Sequence, residues 1–183
     1  MKYDDTSKEQ YLKLWNTMEI SNIAVVDSVV IKIYNNIETY KLASKKCLVP
    51  WSFIACIHSL ETSLDFTKHL HNGDSLKAKT IRVPKGRPLV GNPPYSWEES
   101  VEDALKLKGL HKWGDWSIEG SLYQFERYNG FGYRNKGINS PYLWSYTNHY
   151  KSGKYVSDGK FDPNAISKQI GCAALLKRIF DRL

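Results

Sequence analysis

A carboxylate set on the apolar face of a helix is the feature of this sequence with the clearest chemical meaning. In Cys56-Ile-His-Ser-Leu-Glu-Thr-Ser-Leu-Asp-Phe66, Glu61 falls four residues after Ile57 and seven after Ile54, so all three share one helical face. An ionised carboxylate there is poorly solvated. Such a setting raises a carboxyl pKa towards the range a general acid needs near neutrality. The same position also suits a helix end from which Glu61 simply points into water. A second segment, Leu122-Tyr-Gln-Phe-Glu-Arg-Tyr128-Asn129-Gly130-Phe-Gly-Tyr133, reads as a helix that stops at Asn129-Gly130. By itself, Tyr-Asn-Gly is a helix C-cap signature.

The histidines and cysteines point to no metal centre. His69-x-His71 has strand spacing without a third ligand nearby, and His58 sits inside an apolar helix, so structural or cleft-lining roles are expected. Cys47, Cys56 and Cys172 form an odd set without a Cys-x-x-Cys pair and read as free, buried thiols. No metal and no cofactor is expected.

Helices must position these groups. Tyr11, Leu14 and Met18 mark a short amphipathic helix. Ile23, Val26, Val30, Ile33, Ile37 and Tyr40 step by three and four, predicting one helix over about 22–44. Pro50 suits the start of a third, whose Trp51, Phe53, Ile54, Ala55 and Ile57 make it apolar nearly all round and therefore central and buried. Between 69 and 96 the texture changes. Asn72-Gly73 is a turn signal and Thr80-Ile81-Arg82-Val83 alternates before Pro84, which predicts a small β-hairpin or irregular lobe. Helical pattern resumes at Trp97–Lys108 and Asp115–Tyr128. The stretch 129–161 is expected to hold short helices and a functional loop. Asp162-Pro163 reads as the start of a terminal helix carrying Ile166, Ile170, Ala173, Leu176 and Phe180. The fold class expected is mainly α, as one domain over 1–183.

Together, two of these segments resemble a known family. Glu61-Thr62-Ser63-x-x-Phe66 at the end of an apolar helix resembles the Glu-Ser motif of the lysozyme superfamily, nearest to goose-type lysozymes and soluble lytic transglycosylases. Tyr128-Asn129-Gly130, 67 residues later, is similar to that family's Ala-Tyr-Asn-Ala-Gly motif, although Arg127 replaces the first alanine and the second is missing. Tyr155-Val156 resembles a late Tyr-Val of many transglycosylases. The resemblance covers roughly residues 50 to 160. It implies a lysozyme-like fold with a buried central helix and a small β-hairpin lobe. It also implies cleavage of the β-1,4 bond between N-acetylmuramic acid and N-acetylglucosamine in peptidoglycan.

On that reading Glu61 is the general acid, and Asp74, in the lobe, is the best second carboxylate. Glycosidases place such a partner at ~5–5.5 Å as nucleophile or ~6.5–9.5 Å as base for water. Asp74 equally suits the residue closing the Asn72-Gly73 turn. Glu98 and Glu99 read as first-turn helix acids. Without a second carboxylate, Glu61 would act as acid and then base on the sugar's own hydroxyl, giving 1,6-anhydro products. Thr62, standing where the family has serine, either meets substrate or caps the helix. Tyr128, Asn129 and Tyr155 take the substrate-binding places. Trp113, Trp116, Tyr142, Trp144 and Tyr146 are candidate sugar platforms, more in keeping with packing.

Composition bounds these expectations. The chain has 183 residues, 42% hydrophobic and 25% charged, ordinary for a globular domain. Its net charge of +7 and 13% aromatics suit a polyanionic or saccharide partner. Lys77, Lys79, Arg82, Lys85 and Arg87 cluster within eleven residues, where wall phosphates or lipopolysaccharide would fit. A nucleic-acid binder is disfavoured because those cations do not interleave with aromatics and no recognised motif is present. A glycan-binding module that does not cut is disfavoured by Glu61. The opening MKYDDTSKEQ lacks the apolar core of a secretory signal, and no apolar run is long enough for a membrane span. A monomer made in the cytoplasm is expected, acting like a phage endolysin on the periplasmic wall after release.

Overall fold

The computed structural model describes residues 1–157 and 159–182. Among them are eight α-helices and one small two-stranded antiparallel sheet. Two compact units divide the chain, Ile31–Gly114 and the pairing of Met1–Val30 with Asp115–Leu183.

In the unit from Ile31 to Gly114, the stripe predicted as one helix is two: α2 (Ile23–Tyr34), which begins before the boundary, and α3 (Ile37–Cys47). The break falls at Asn35-Asn36. The Asn36 side chain donates to the Lys32 carbonyl at 2.9 Å, taking an acceptor that helical backbone would use. Helix α4 (Trp51–Thr62) buries Ser52 through His58, Leu60 and Thr62, which makes it the central helix expected from its composition. Helix α5 (Trp97–Leu107) opens with a Ser96/Glu99 capping box, so Glu99 serves the helix start.

The segment between α4 and α5 contains no strand, only an isolated bridge from Lys68 to Ser75, so of the hairpin or irregular lobe expected there it is the irregular lobe that forms. Side chains have taken the backbone donors a ladder needs. Ile81 and Arg82 donate their N–H groups to the Asp74 carboxylate, and Arg87 donates its own to the Thr80 hydroxyl.

In the other unit, α1 (Asp5–Asn16) starts on an Asp4/Ser7 capping box and packs Tyr11 onto α6 (Ile118–Asn129). Gly120 is required near the start of α6, because a Cβ there would lie 2.1 Å from the Asp115 carbonyl oxygen. Short α7 (Pro141–Trp144) leads to β1 (Lys154–Ser157) and β2 (Lys160–Asp162), paired with a bulge after Tyr155. This is where the hairpin lies, in a stretch expected to hold short helices and a loop. The helix expected from Asp162 begins ten residues later as α8 (Cys172–Phe180). Asp162 does cap, but it caps a turn, accepting from Asn164 and Ala165; Ser167 N–H then donates to the Tyr150 hydroxyl and no helix forms before Cys172. Gly171 lets α8 approach α7, since a Cβ would sit 2.2 Å from the Leu143 oxygen. The three cysteines are buried. No helix of the described residues is long and apolar enough to cross a membrane.

Candidate active site

Glu61 stands in the last turn of α4 and is half-buried. The helix stops immediately after it in an unusual way. Ser63 and Leu64 both adopt left-handed backbone, with φ 57° and 63°, and their N–H groups return to the Ser59 and His58 carbonyls at 3.1 and 3.3 Å. For L-residues this conformation costs roughly 1–2 kcal/mol each, and it persists only where surroundings impose it. Thr62 adds its hydroxyl to the His58 carbonyl at 3.1 Å, so of its two expected roles the structure displays the capping one.

A ring cluster centred on buried His58, one turn before Glu61, packs against this ending. Trp97 Nε1 donates to His58 Nε2 at 3.2 Å, which leaves the proton of the neutral ring on Nδ1, facing the Tyr40 hydroxyl at 2.9 Å. Phe66, just beyond the strained pair, packs on His58 with centroids 4.6 Å apart and on Trp97 at 4.8 Å. Burial drives the His58 pKa down from 6.5 to about 4 and holds it neutral. The cluster thus ties α3, α4 and α5 to the chain that leaves Glu61.

The Asn72-Gly73 turn lies against this helix end: a Cβ on Gly73 would be 3.4 Å from the Glu61 carbonyl oxygen. Asp74 follows directly, so the structure brings the two predicted carboxylate residues into one neighbourhood. Asn72, not Asp74, closes the turn, accepting the Asp74 N–H at 3.0 Å. The Asp74 carboxylate is fully engaged elsewhere. It receives Arg82 Nε at 2.6 Å on one oxygen, and the Ile81 and Arg82 N–H groups at 2.8 and 3.0 Å on the other. Burial pushes its pKa up, but the Arg82 backbone and guanidinium and the Ile81 N–H outweigh this and hold it at about 2. A carboxylate so held is a fixed negative charge and a weak base near neutrality.

The lobe histidines stitch the loop to α5. His69 faces Ser100 Oγ and the Ala78 carbonyl at 3.0 and 2.9 Å, and His71 Nε2 meets Asp103 at 2.7 Å beside Arg87. Among the described residues, no group of three or more His, Cys, Asp or Glu could hold a metal ion.

In the other unit, α6 ends as its Tyr-Asn-Gly sequence predicts, with Tyr128 buried, Asn129 exposed and the Gly130 N–H returned to the Glu126 carbonyl at 2.8 Å. Tyr155 on β1 packs on Tyr133 and Phe161, with centroids 5.2 and 5.4 Å apart, and its backbone N–H donates to the Tyr133 hydroxyl at 3.2 Å. A Cβ on Gly132 would be 3.6 Å from the Tyr155 hydroxyl, so this tyrosine stands beside the segment that follows Asn129. Trp144, considered as a sugar platform, is buried core.

Sequence reasoning missed the acid that organises this helix end. Glu126, its side chain only 3% exposed, is gripped on both oxygens by Arg134 at 2.8 and 2.7 Å and by the Tyr11 hydroxyl at 2.6 Å. A charged residue two positions before a helix-ending Tyr-Asn-Gly carries no local sign that it faces inward. It missed the strained pair Ser63-Leu64 as well, because neither residue type announces left-handed backbone. No family model, curated protein or solved structure matches this chain.

Proposed function

We propose that this chain cleaves peptidoglycan at the β-1,4 bond between N-acetylmuramic acid and N-acetylglucosamine, with Glu61 as the general acid and a lysozyme-like fold. The observation that carries the reading is the setting of Glu61: half-buried in the final turn of the buried central helix α4, two residues before a pair held in left-handed backbone. Strain of that kind collects at functional sites, and here it fixes where the chain turns away from the acid. A carboxylic acid in such a setting delivers its proton to the leaving glycosidic oxygen as the bond breaks. By the family resemblance, Tyr128, Asn129 and Tyr155 are assigned saccharide contacts, and release from the cytoplasm to the wall is the matching biological role.

The Arg82 clasp on Asp74 favours a second reading of the same chemistry. With its oxygens engaged and its pKa at about 2, Asp74 is better suited to holding the lobe than to activating water. Glu61 then acts alone, first as acid and afterwards as base on the sugar's 6-hydroxyl, which makes the enzyme a lytic transglycosylase.

One experiment tests both. Purified protein and its Glu61→Gln variant are incubated with peptidoglycan and the released muropeptides weighed by mass spectrometry. Cleavage by the wild type and its loss in a folded variant are expected. Reducing ends identify a hydrolase, and 1,6-anhydro ends, lighter by one water, a transglycosylase. Equal cutting by both proteins removes Glu61 from the mechanism, and no cutting by either overturns the activity.

A further inference from the structure

Residues 75–96 contain five cations and no acid. The structure divides them by role. Arg82 and Arg87 are tethers, their Nε atoms on Asp74 at 2.6 Å and Asp103 at 2.9 Å. Lys77, Lys79 and Lys85 are exposed and belong to none of the ion pairs among the described residues. The same segment turns its aliphatic side chains outward: Val83 is 89% exposed, Val90 83%, Ile81 74% and Leu89 66%. Scattered exposed aliphatics are ordinary, but four within ten residues form a patch that calls for a partner.

Ordered backbone holds these side chains out. Thr80 N–H donates to the Arg87 carbonyl and Gly86 N–H to the Thr80 carbonyl, both at 2.8 Å, which closes the loop at its base. Asp74 takes the Ile81 and Arg82 donors, and the Asn72 side-chain amide donates to the Arg82 carbonyl at 3.0 Å. Much of the loop's backbone polarity is therefore satisfied internally, as a segment entering an apolar medium requires.

We propose that this loop docks on an anionic lipid bilayer. Ile81, Val83, Leu89 and Val90 enter the interfacial region, and Lys77, Lys79 and Lys85 bind the headgroup phosphates. Exposed lysines outside any ion pair among the described residues select a negative surface. The aliphatic side chains select a bilayer over a soluble polyanion, which would leave them in water. Docking of this loop does not depend on Glu61.

The test is co-sedimentation of the full chain with phosphatidylcholine vesicles, with and without phosphatidylglycerol. A Val83→Trp variant reports insertion. Binding is expected to be at least about tenfold tighter with the anionic lipid, since each lysine near such a surface adds about fivefold. The indole emission should move to the blue and be quenched by brominated acyl chains. Val83→Asp with Val90→Asp, and separately Lys77→Glu with Lys79→Glu and Lys85→Glu, should each weaken binding about tenfold or more with unchanged melting. Unweakened binding by the aspartate variant, or an indole that stays in water, overturns insertion. A wild type that ignores anionic vesicles overturns the proposal, and its retention on polyphosphate would then assign the lysines to a soluble polyanion.

Discussion

Acid should loosen the end of α4 through a single buried imidazole, and His58→Gln isolates that effect. In the folded protein the His58 pKa lies at about 4, driven down by burial, whereas the unfolded chain takes up the proton near 6.5. Because the folded value is the lower one, the unfolded state binds the proton first as pH falls. The stabilisation is therefore complete above about 6.5 and is lost progressively towards 4. At ~1.4 kcal/mol per tenfold difference in proton affinity, that gap corresponds to about 3 kcal/mol. Glutamine does not titrate, yet its amide can still accept from Trp97 and donate to Tyr40. The variant should be less stable at pH 7 by roughly 1–2 kcal/mol, because it loses ring contacts with Phe66 and Trp97. Urea unfolding followed by tryptophan fluorescence, repeated from pH 7 to pH 4, measures both proteins. The wild-type advantage should shrink across that window by about 3 kcal/mol and reverse sign near its middle, between roughly pH 5 and 6. The His71 pKa also lies below its ordinary value through burial, but that contribution is common to both proteins and cancels. An advantage that stays constant with pH would refute the reasoning, for it would mean that His58 is not held neutral by the cluster.

Two further outcomes follow from the charged clasps. Arg134→Ala strands the Glu126 carboxylate with only the Tyr11 hydroxyl and should cost about 3 kcal/mol in urea unfolding, whereas Glu126→Gln with Arg134→Met should recover most of it; a loss below roughly 1 kcal/mol in the single variant would contradict the buried pair. Asp74→Asn should destabilise by roughly 1–3 kcal/mol at pH 7, with Arg82 partly exposed to water. The lowered carboxyl pKa makes the wild-type advantage present above 3.8 and lost as pH falls towards 2, so thermal melts of the two proteins should converge across that range.

Local pattern carried the helices. The apolar composition of α4, the apolar periodicity of α5 and the Gly130 stop of α6 are written within a few residues of one another, so local pattern located them. Glu61 was legible for the same reason, since its face follows from its distance to Ile54 and Ile57. Where side chains compete for backbone donors and acceptors over longer range, local pattern failed. Asn36 divided one stripe into two helices, and Asp74 and Thr80 took the N–H groups of a β-branched run that would otherwise read as a strand. The hairpin lies at 154–162 and the terminal helix begins only at Cys172, because Asp162 caps a turn and the Tyr150 hydroxyl takes the Ser167 N–H. The sequence by itself determined a mainly helical chain with an acid at the end of an apolar, centrally placed helix. Only tertiary structure decided that Asp74 faces Arg82, that Glu126 is buried between Tyr11 and Arg134, and that the chain after Glu61 is left-handed. Each of these depends on partners that are distant in sequence or on burial, and neither is visible in a window of neighbouring residues.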